Sequence, residues 1–162
     1  MLDQAIFLLT FTGAIGSALV AGIFFAFSTF IMRALGRIPA EQGISAMQSI
    51  NITVINPLFM LAFMGTGAVC LVAGAGAVFL WEEDAGKFIL AASLIYLIGV
   101  IGVTMVFNVP LNNALAPLAP ASPEAAELWT RYLRDWTFWN HVRTVAPLVS
   151  AVLFVTALLF GG

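Results

Sequence analysis

The chain has 162 residues, 62% of them hydrophobic and 9% charged, with a formal net charge of −2. A soluble domain carries about 25% charged residues, so this composition and a mean hydropathy of +1.05 point to an integral membrane protein. The small, scattered charge argues against a nucleic-acid surface, and the single cysteine, Cys70, excludes an intrachain disulfide.

Four stretches, 4–32, 42–81, 88–123 and 144–162, hold no Asp, Glu, Lys or Arg. Crossing a bilayer takes roughly 20 apolar residues, so each is long enough, the last with little to spare. The expected fold is all-α: an integral membrane four-helix bundle, one domain over 1–162. Spans are expected near 3–35, 50–81, 88–115 and 137–160, with a Pro-kinked span two and an amphipathic interfacial helix before span four. Met1-Leu2-Asp3-Gln4 has no basic n-region, so the first apolar run reads as a retained helix rather than a signal peptide.

In span one, Gly13, Ser17 and Ala21 recur at four-residue spacing, a small-xxx-small face that lets another helix approach closely. Its second half is crowded with Phe24, Phe25, Phe27 and Phe30 around Ser28 and Thr29, and Arg33 closes it. Packing and lipid contact account for most of these rings; lining an aromatic pocket is the sharper alternative. Pro39 and Glu41 suit the first turn of a second helix, from Ala40 to about Asn56. This helix carries Gln48 and Asn51 on one face, with Thr53 and Asn56 before Pro57. Pro57 frees the carbonyl of Thr53 and is expected to kink the chain there. Span two then continues to Trp81, with Gly65, Gly67, Gly74 and Gly76 allowing close packing.

Glu82 to Lys87 reads as a solvated turn. Span three is plain lipid-type sequence until Asn108-Val109-Pro110-Leu111-Asn112-Asn113, which puts three carboxamides and a proline together. Ser122-Pro123-Glu124 is a helix start, with an N-cap hydroxyl and proline at N1. Beyond it, Glu127, Arg131 and Asp135 are spaced for two ion pairs. Trp129, Tyr132, Trp136 and Trp139 match an interfacial aromatic belt. Asn140-His141-Val142-Arg143 then opens span four and includes the sole histidine.

Five of the six basic residues, Arg33, Arg37, Arg131, Arg134 and Arg143, fall on one side of such a bundle, and Lys87 falls on the other. The positive-inside rule puts the arginine-rich connections in the cytoplasm and both termini outside a multi-pass cell-membrane protein. Arg33, Gln48 to Asn56, Asn108 to Asn113 and Asn140 to Arg143 all converge on that same face. Polar side chains at membrane depth are costly unless they meet partners or a cavity. Two readings follow: a polar pocket, or a carboxamide network that joins the helices. One histidine and one cysteine do not make a tetrahedral zinc site, and no Gly-rich phosphate loop or nucleophile elbow is present. His141 is a natural base near neutral pH, with Asn and Arg donors for an oxyanion. An interfacial histidine bonded to a carbonyl or headgroup fits equally well.

Four pieces together, Ala21-Gly22-Ile23-Phe24-Phe25-Ala26-Phe27-Ser28, Ala46-Met47-Gln48-Ser49-Ile50-Asn51, Asn108-Val109-Pro110-Leu111-Asn112-Asn113 and Trp136 with Trp139-Asn140-His141-Val142-Arg143-Thr144, resemble the anthrone-oxygenase-like family of small four-span membrane proteins. The resemblance runs over essentially the whole chain, in order. It implies oxidation of an anthrone to an anthraquinone by O₂, with no metal or flavin required. On that reading His141 removes the benzylic proton, and Asn140, Asn112 and Arg143 stabilise the resulting anion. Phe24, Phe27, Ser28, Gln48, Asn51, Asn108, Trp136 and Trp139 surround the substrate. Two alternatives stay open: a binding protein for a lipid, quinone or small aromatic, and a homo-oligomeric enzyme whose haem or copper site is completed across a dimer. A structural partner subunit is the plainest further possibility.

Overall fold

A computed structural model describes residues 4–80 and 83–161. Among these the chain forms helices α1 (Gln4–Leu35), α2 (Ala40–Thr53), α3 (Pro57–Leu80), α4 (Asp84–Leu115) and α5 (Pro123–Phe160), and no strand. Of these, α1, α3, α4 and α5 are long and apolar enough to cross a membrane. The protein is a multi-pass membrane four-helix bundle, with the shorter α2 packed at one end. The expected span limits at Asp3 and Trp81, and Glu82 of the charged turn, lie outside the described residues.

Sequence accounts for most helix ends. The Oγ of Ser122 accepts a hydrogen bond from the Ala125 amide at 3.1 Å, with Pro123 in the first turn. At Pro57 the expected kink is a full break. α2 ends at Thr53, and Asn56 caps a new helix, its Oδ1 accepting from the Phe59 amide at 3.1 Å and its Nδ2 donating to the Thr53 carbonyl at 3.0 Å. The carbonyl that proline orphans is thus satisfied by a side chain, and the membrane-length helix begins at Pro57 rather than near residue 50.

The segment expected as a separate interfacial helix is instead the first part of α5, one helix of 38 residues. No glycine or proline stands between Glu124 and Ala146 to interrupt it. At 1.5 Å per residue it is about 57 Å long, well beyond the roughly 30 Å hydrocarbon core, so its N-terminal turns project past the apolar layer. Along its surface Arg131 and Arg134 pair with Asp135, at 3.4 and 2.7 Å. The expected Glu127–Arg131 pair is not formed.

Small residues set the packing. Gly13 faces the Phe154 ring, where a Cβ would stand 2.9 Å from Cε2. Ser17 and Ser150 hydroxyls meet at 3.3 Å, and Ser150 donates to the Ala92 carbonyl at 2.9 Å, tying α1, α5 and α4 together. Gly74 lies against Ser93, which joins α3 to α4. One core cluster, around Val20, Phe63, Cys70, Tyr96 and Phe154, fills this half of the bundle. A second, around Met32, Ile44, Met47, Leu115, Tyr132 and Trp136, fills the end where α2 packs. Three of the four residues expected in an aromatic belt belong to this second core: Trp129, Tyr132 and Trp136 stack in a column with ring centroids 5.5 and 5.7 Å apart. Their spacing of three to four residues puts them on the inward face of α5.

Candidate functional site

Between the two cores lies a cavity of about 340 Å³, walled by residues of every helix. α1 supplies Ile23, Phe24 and Phe27, α2 Met47 and Asn51, and α3 Phe59 and Phe63; α4 supplies Thr104 and Asn112, α5 Trp136 and Arg143. Most of the wall is apolar, and its polar groups are few, as in ligand pockets generally. Several lining residues sit in widened, π-helical turns: Phe27 in Phe27–Ile31, Phe63 in Leu61–Gly65 and Thr104 in Thr104–Asn108. The last has a local cause, since Pro110 has no N–H to return to the carbonyl four residues back. Such turns recur at functional sites.

Arg143 dominates the polar wall. It is 5% exposed, and its guanidinium lies over the rings of Phe24 and Trp136, 4.4 and 4.8 Å from their centroids. Nη2 donates to Asn140 Oδ1 at 2.9 Å and Nη1 to Thr104 Oγ1 at 3.4 Å, while Nε has no partner. Among the described residues the ion pairs involve Lys87, Arg131 and Arg134, and none involves Arg143. A buried cation is therefore held by neutral groups alone. Asn140 anchors it: fully buried, it donates through Nδ2 to the Phe24 carbonyl at 2.9 Å and to Ser28 Oγ at 2.8 Å, which fixes its Oδ1 toward the arginine. Ser28 and Thr144 hydroxyls meet at 2.8 Å behind it.

Asn112 is oriented just as firmly. Its Oδ1 accepts from Tyr132 Oη at 2.6 Å and from Trp136 Nε1 at 2.8 Å. An indole N–H only donates, so the atom it meets must be the amide oxygen, and the Nδ2 of Asn112 is left as a donor at the cavity wall. Asn51 Nδ2 donates weakly to Tyr132 Oη, at 3.4 Å, leaving its Oδ1 as an acceptor. The polar wall thus offers one cation, one amide donor, one amide acceptor and the hydroxyl of Thr104.

Of the residues expected around a substrate, the fold brings Phe24, Phe27, Asn51, Asn112, Trp136 and Arg143 to the cavity. Ser28, Asn108 and Asn140 form the hydrogen-bonded layer behind it; Asn108 donates to the Trp136 carbonyl at 3.1 Å, and its Oδ1 is buried without a partner. Three expected residues are elsewhere. Gln48 donates to the carbonyls of Leu115 and Leu118, both at 2.9 Å, and so closes the C-terminal end of α4. Trp139 stacks on Phe107 away from the cavity, ring centroids 3.5 Å apart. His141 is exposed. The reason is helical phase: at roughly 100° per residue, Asn140, Arg143 and Thr144 share the inward face of α5 and His141 is turned off it. No imidazole or carboxylate is among the side chains that line the cavity. Among the described residues, no three His, Cys, Asp or Glu side chains cluster anywhere.

Sequence reasoning missed Thr104, Tyr132 and the methionines Met47, Met60, Met64 and Met105. Thr104 was hidden in a lipid-type run, and Tyr132 read as belt. A methionine in an apolar span carries no signal of its own.

A family model described as anthrone oxygenase matches residues 59–153, which include Asn108, Asn112, Trp136, Asn140 and Arg143. No curated protein and no solved structure matches the chain.

Proposed function

The chain belongs to the anthrone oxygenase family, and on that premise we propose that it uses O₂ to oxidise a hydrophobic anthrone-type aromatic in the Arg143 cavity. One observation carries the reading: a buried guanidinium without a carboxylate in the wall of an apolar cavity that also holds an oriented amide donor. An uncompensated cation in a membrane interior is expensive, and a ligand that becomes anionic during reaction would offset that cost.

An anthrone is such a ligand. Loss of a proton from the CH₂ between its rings gives an anion whose charge spreads to the ketone oxygen. Arg143 and the Nδ2 of Asn112 would receive that oxygen, acting as an oxyanion hole acts. No imidazole or carboxylate lines the cavity, so on this reading the proton passes to water rather than to a side-chain base as the anion forms. O₂ then forms a C–O bond at the electron-rich carbon, and the resulting hydroperoxide loses water to leave a second ketone. One O₂ is consumed per substrate; one oxygen atom stays in the quinone and the other leaves as water with both CH₂ hydrogens. The substrate supplies all four electrons, so no external reductant is needed. Phe24, Phe27 and Trp136 would flank the flat rings. The arginine-rich connections would face the cytoplasm, with both termini outside.

The test is O₂ uptake by protein in liposomes given a simple anthrone, read above autoxidation alongside quinone formation. One quinone per O₂, with the rate lost in Arg143→Met, is the expected outcome; a wild-type rate no faster than autoxidation would end the reading. The lack of an imidazole or carboxylate at the cavity favours one rival, a protein that binds a quinone or aromatic without turning it over. That rival predicts ligand binding with no O₂ uptake.

A further inference from the structure

The cavity is not sealed on all sides. Its wall between α3 and α4 is formed by side chains that are also exposed on the outer surface: Ile55 at 72%, Met60 at 36%, Met64 at 47% and Met105 at 61%. The helix packing explains the opening. α3 and α4 are joined in their other halves, where Gly74 meets Ser93 and Tyr96 Oη donates to the Phe63 carbonyl at 2.9 Å. Beyond that bond they part: Leu61–Gly65 of α3 rests on α1, whereas Thr104–Leu115 of α4 rests on α5 and α2. No extended packing joins Pro57–Gly65 to Thr104–Leu115. The break at Val54–Asn56 frees the start of α3 to lean away.

We propose that the cavity is loaded sideways from the bilayer, through the gap between α3 and α4, and that Met60, Met64 and Met105 form its lips. This rests on the cavity being a substrate site, and it specifies the substrate: an uncharged, membrane-dissolved aromatic. The lips are wholly apolar and lie on two membrane-spanning helices, so the gap faces lipid chains. Unbranched methionine side chains with several rotatable bonds yield to a passing ring more readily than branched ones do. The polar groups of the wall are Arg143 on α5, Asn51 on α2, and Thr104 and Asn112 on α4, with Thr104 next to Met105 and its hydroxyl accepting from the Arg143 guanidinium at 3.4 Å. A neutral ketone therefore passes apolar lips before it meets the cation and its Thr104 partner, and the neutral quinone leaves by the same path. An ionised aromatic, or one carrying a large polar group such as a sugar, would be turned away at the lips.

Photolabelling separates this from the chemistry, because it needs no turnover. Benzophenone, a neutral diaryl ketone, is dissolved in the lipid of proteoliposomes and irradiated, and the labelled residues are mapped by peptide mass spectrometry. Labels are expected on Met105 and, inside, on Phe27 and Val109. Met105→Trp or Met64→Trp should cut the inner labels several-fold. Leu71→Trp, the same added bulk at a 63% exposed site on the distant half of α3, should leave them unchanged. Because all three positions face outward, a matching thermal unfolding profile certifies each variant. Inner labelling that persists at the wild-type level in both methionine variants would overturn the portal, as would wild-type protein labelled only on its surface. Portal-dependent labelling without any O₂ uptake would instead sink the oxidation and leave the portal standing.

Discussion

Replacing Arg143 with methionine separates a catalytic cation from a structural one. The substitution keeps an unbranched apolar stem against Phe24 and Trp136 and removes the charge. On stability the terms oppose each other. Two desolvated cation–π contacts are lost, worth about 0.5–2 kcal/mol each, and Asn140 Oδ1 loses its donor at a cost of roughly 1–3 kcal/mol. Against these stands the desolvation of a buried ion, several kcal/mol, which the variant no longer bears. The net change in unfolding free energy should therefore stay within about 2 kcal/mol of zero, in line with buried charges replaced by apolar side chains. Activity has no such compensation: losing a preorganised donor to a developing oxyanion costs about 10²–10³ in kcat, and a full charge belongs at the upper end. The assay is quinone formation in proteoliposomes, with thermal unfolding in detergent on the same preparation. A folded variant that keeps more than a tenth of the wild-type rate would refute the oxyanion role. A variant that loses its fold in step with its activity would assign Arg143 to the scaffold.

His141→Ala should leave turnover close to that of wild type, since the side chain is exposed and does not line the cavity; a large loss in the same quinone assay would support the histidine as the base. Asn112→Asp keeps an oxygen for Tyr132 and Trp136 but removes the Nδ2 donor and sets a negative charge beside the anion. A rate loss of at least about 100-fold with an unchanged melting profile is expected, and an unchanged rate would remove Asn112 from the site. Gly13→Leu forces the Phe154 ring aside at the α1–α5 contact, and overpacking of this kind costs about 1–3 kcal/mol, read as a lower unfolding temperature. Gln48→Leu leaves the Leu115 and Leu118 carbonyls without their side-chain donor, and should lower the unfolding temperature and speed proteolysis of the 116–122 connection without touching the ligand wall.

How much of this was legible in the sequence depended on whether a property was periodic or three-dimensional. Span number followed from uncharged run lengths. That some helix packs closely on α1 was readable in the four-residue spacing of Gly13, Ser17 and Ala21, whereas its identity as α5 comes from the Phe154 and Ser150 contacts. The convergence of polar clusters on one end needed only the alternation of spans. What failed was the assignment within a cluster. Trp136, Asn140 and Arg143 face inward and Trp139 and His141 do not, a distinction that rests on the phase of α5. Chemistry alone ranks His141 above Arg143 as a reactive group, but the phase of α5 leaves His141 exposed and brings Arg143 to the cavity. The break at Pro57 was visible as a proline but not as a capped restart, since that depends on Asn56 satisfying both the Phe59 amide and the Thr53 carbonyl. The portal had no one-dimensional trace, because it is the divergence of two helices whose facing residues are as apolar as lipid.

The partners chosen for Arg143 bear on what it is for. Two unit charges 4 Å apart attract by about 4 kcal/mol at an effective dielectric of 20, so a carboxylate beside the guanidinium would have settled it readily in the bundle. It would also have consumed most of the field that an arriving anion could use. The neutral set found here does something different. Asn140, pinned by the Phe24 carbonyl and Ser28, holds the guanidinium in place, and Phe24 and Trp136 favour its charge without cancelling it. Orientation is fixed before any ligand arrives, so little reorganisation accompanies reaction, the condition under which dipoles and charges lower a barrier most. Asn112 repeats the pattern, with Tyr132 and Trp136 occupying its oxygen so that its amide N–H₂ remains unengaged. A network built only to join helices would satisfy its members with one another. At the cavity wall this one leaves the Nε of Arg143 buried without a protein partner and engages Asn112 only through its oxygen.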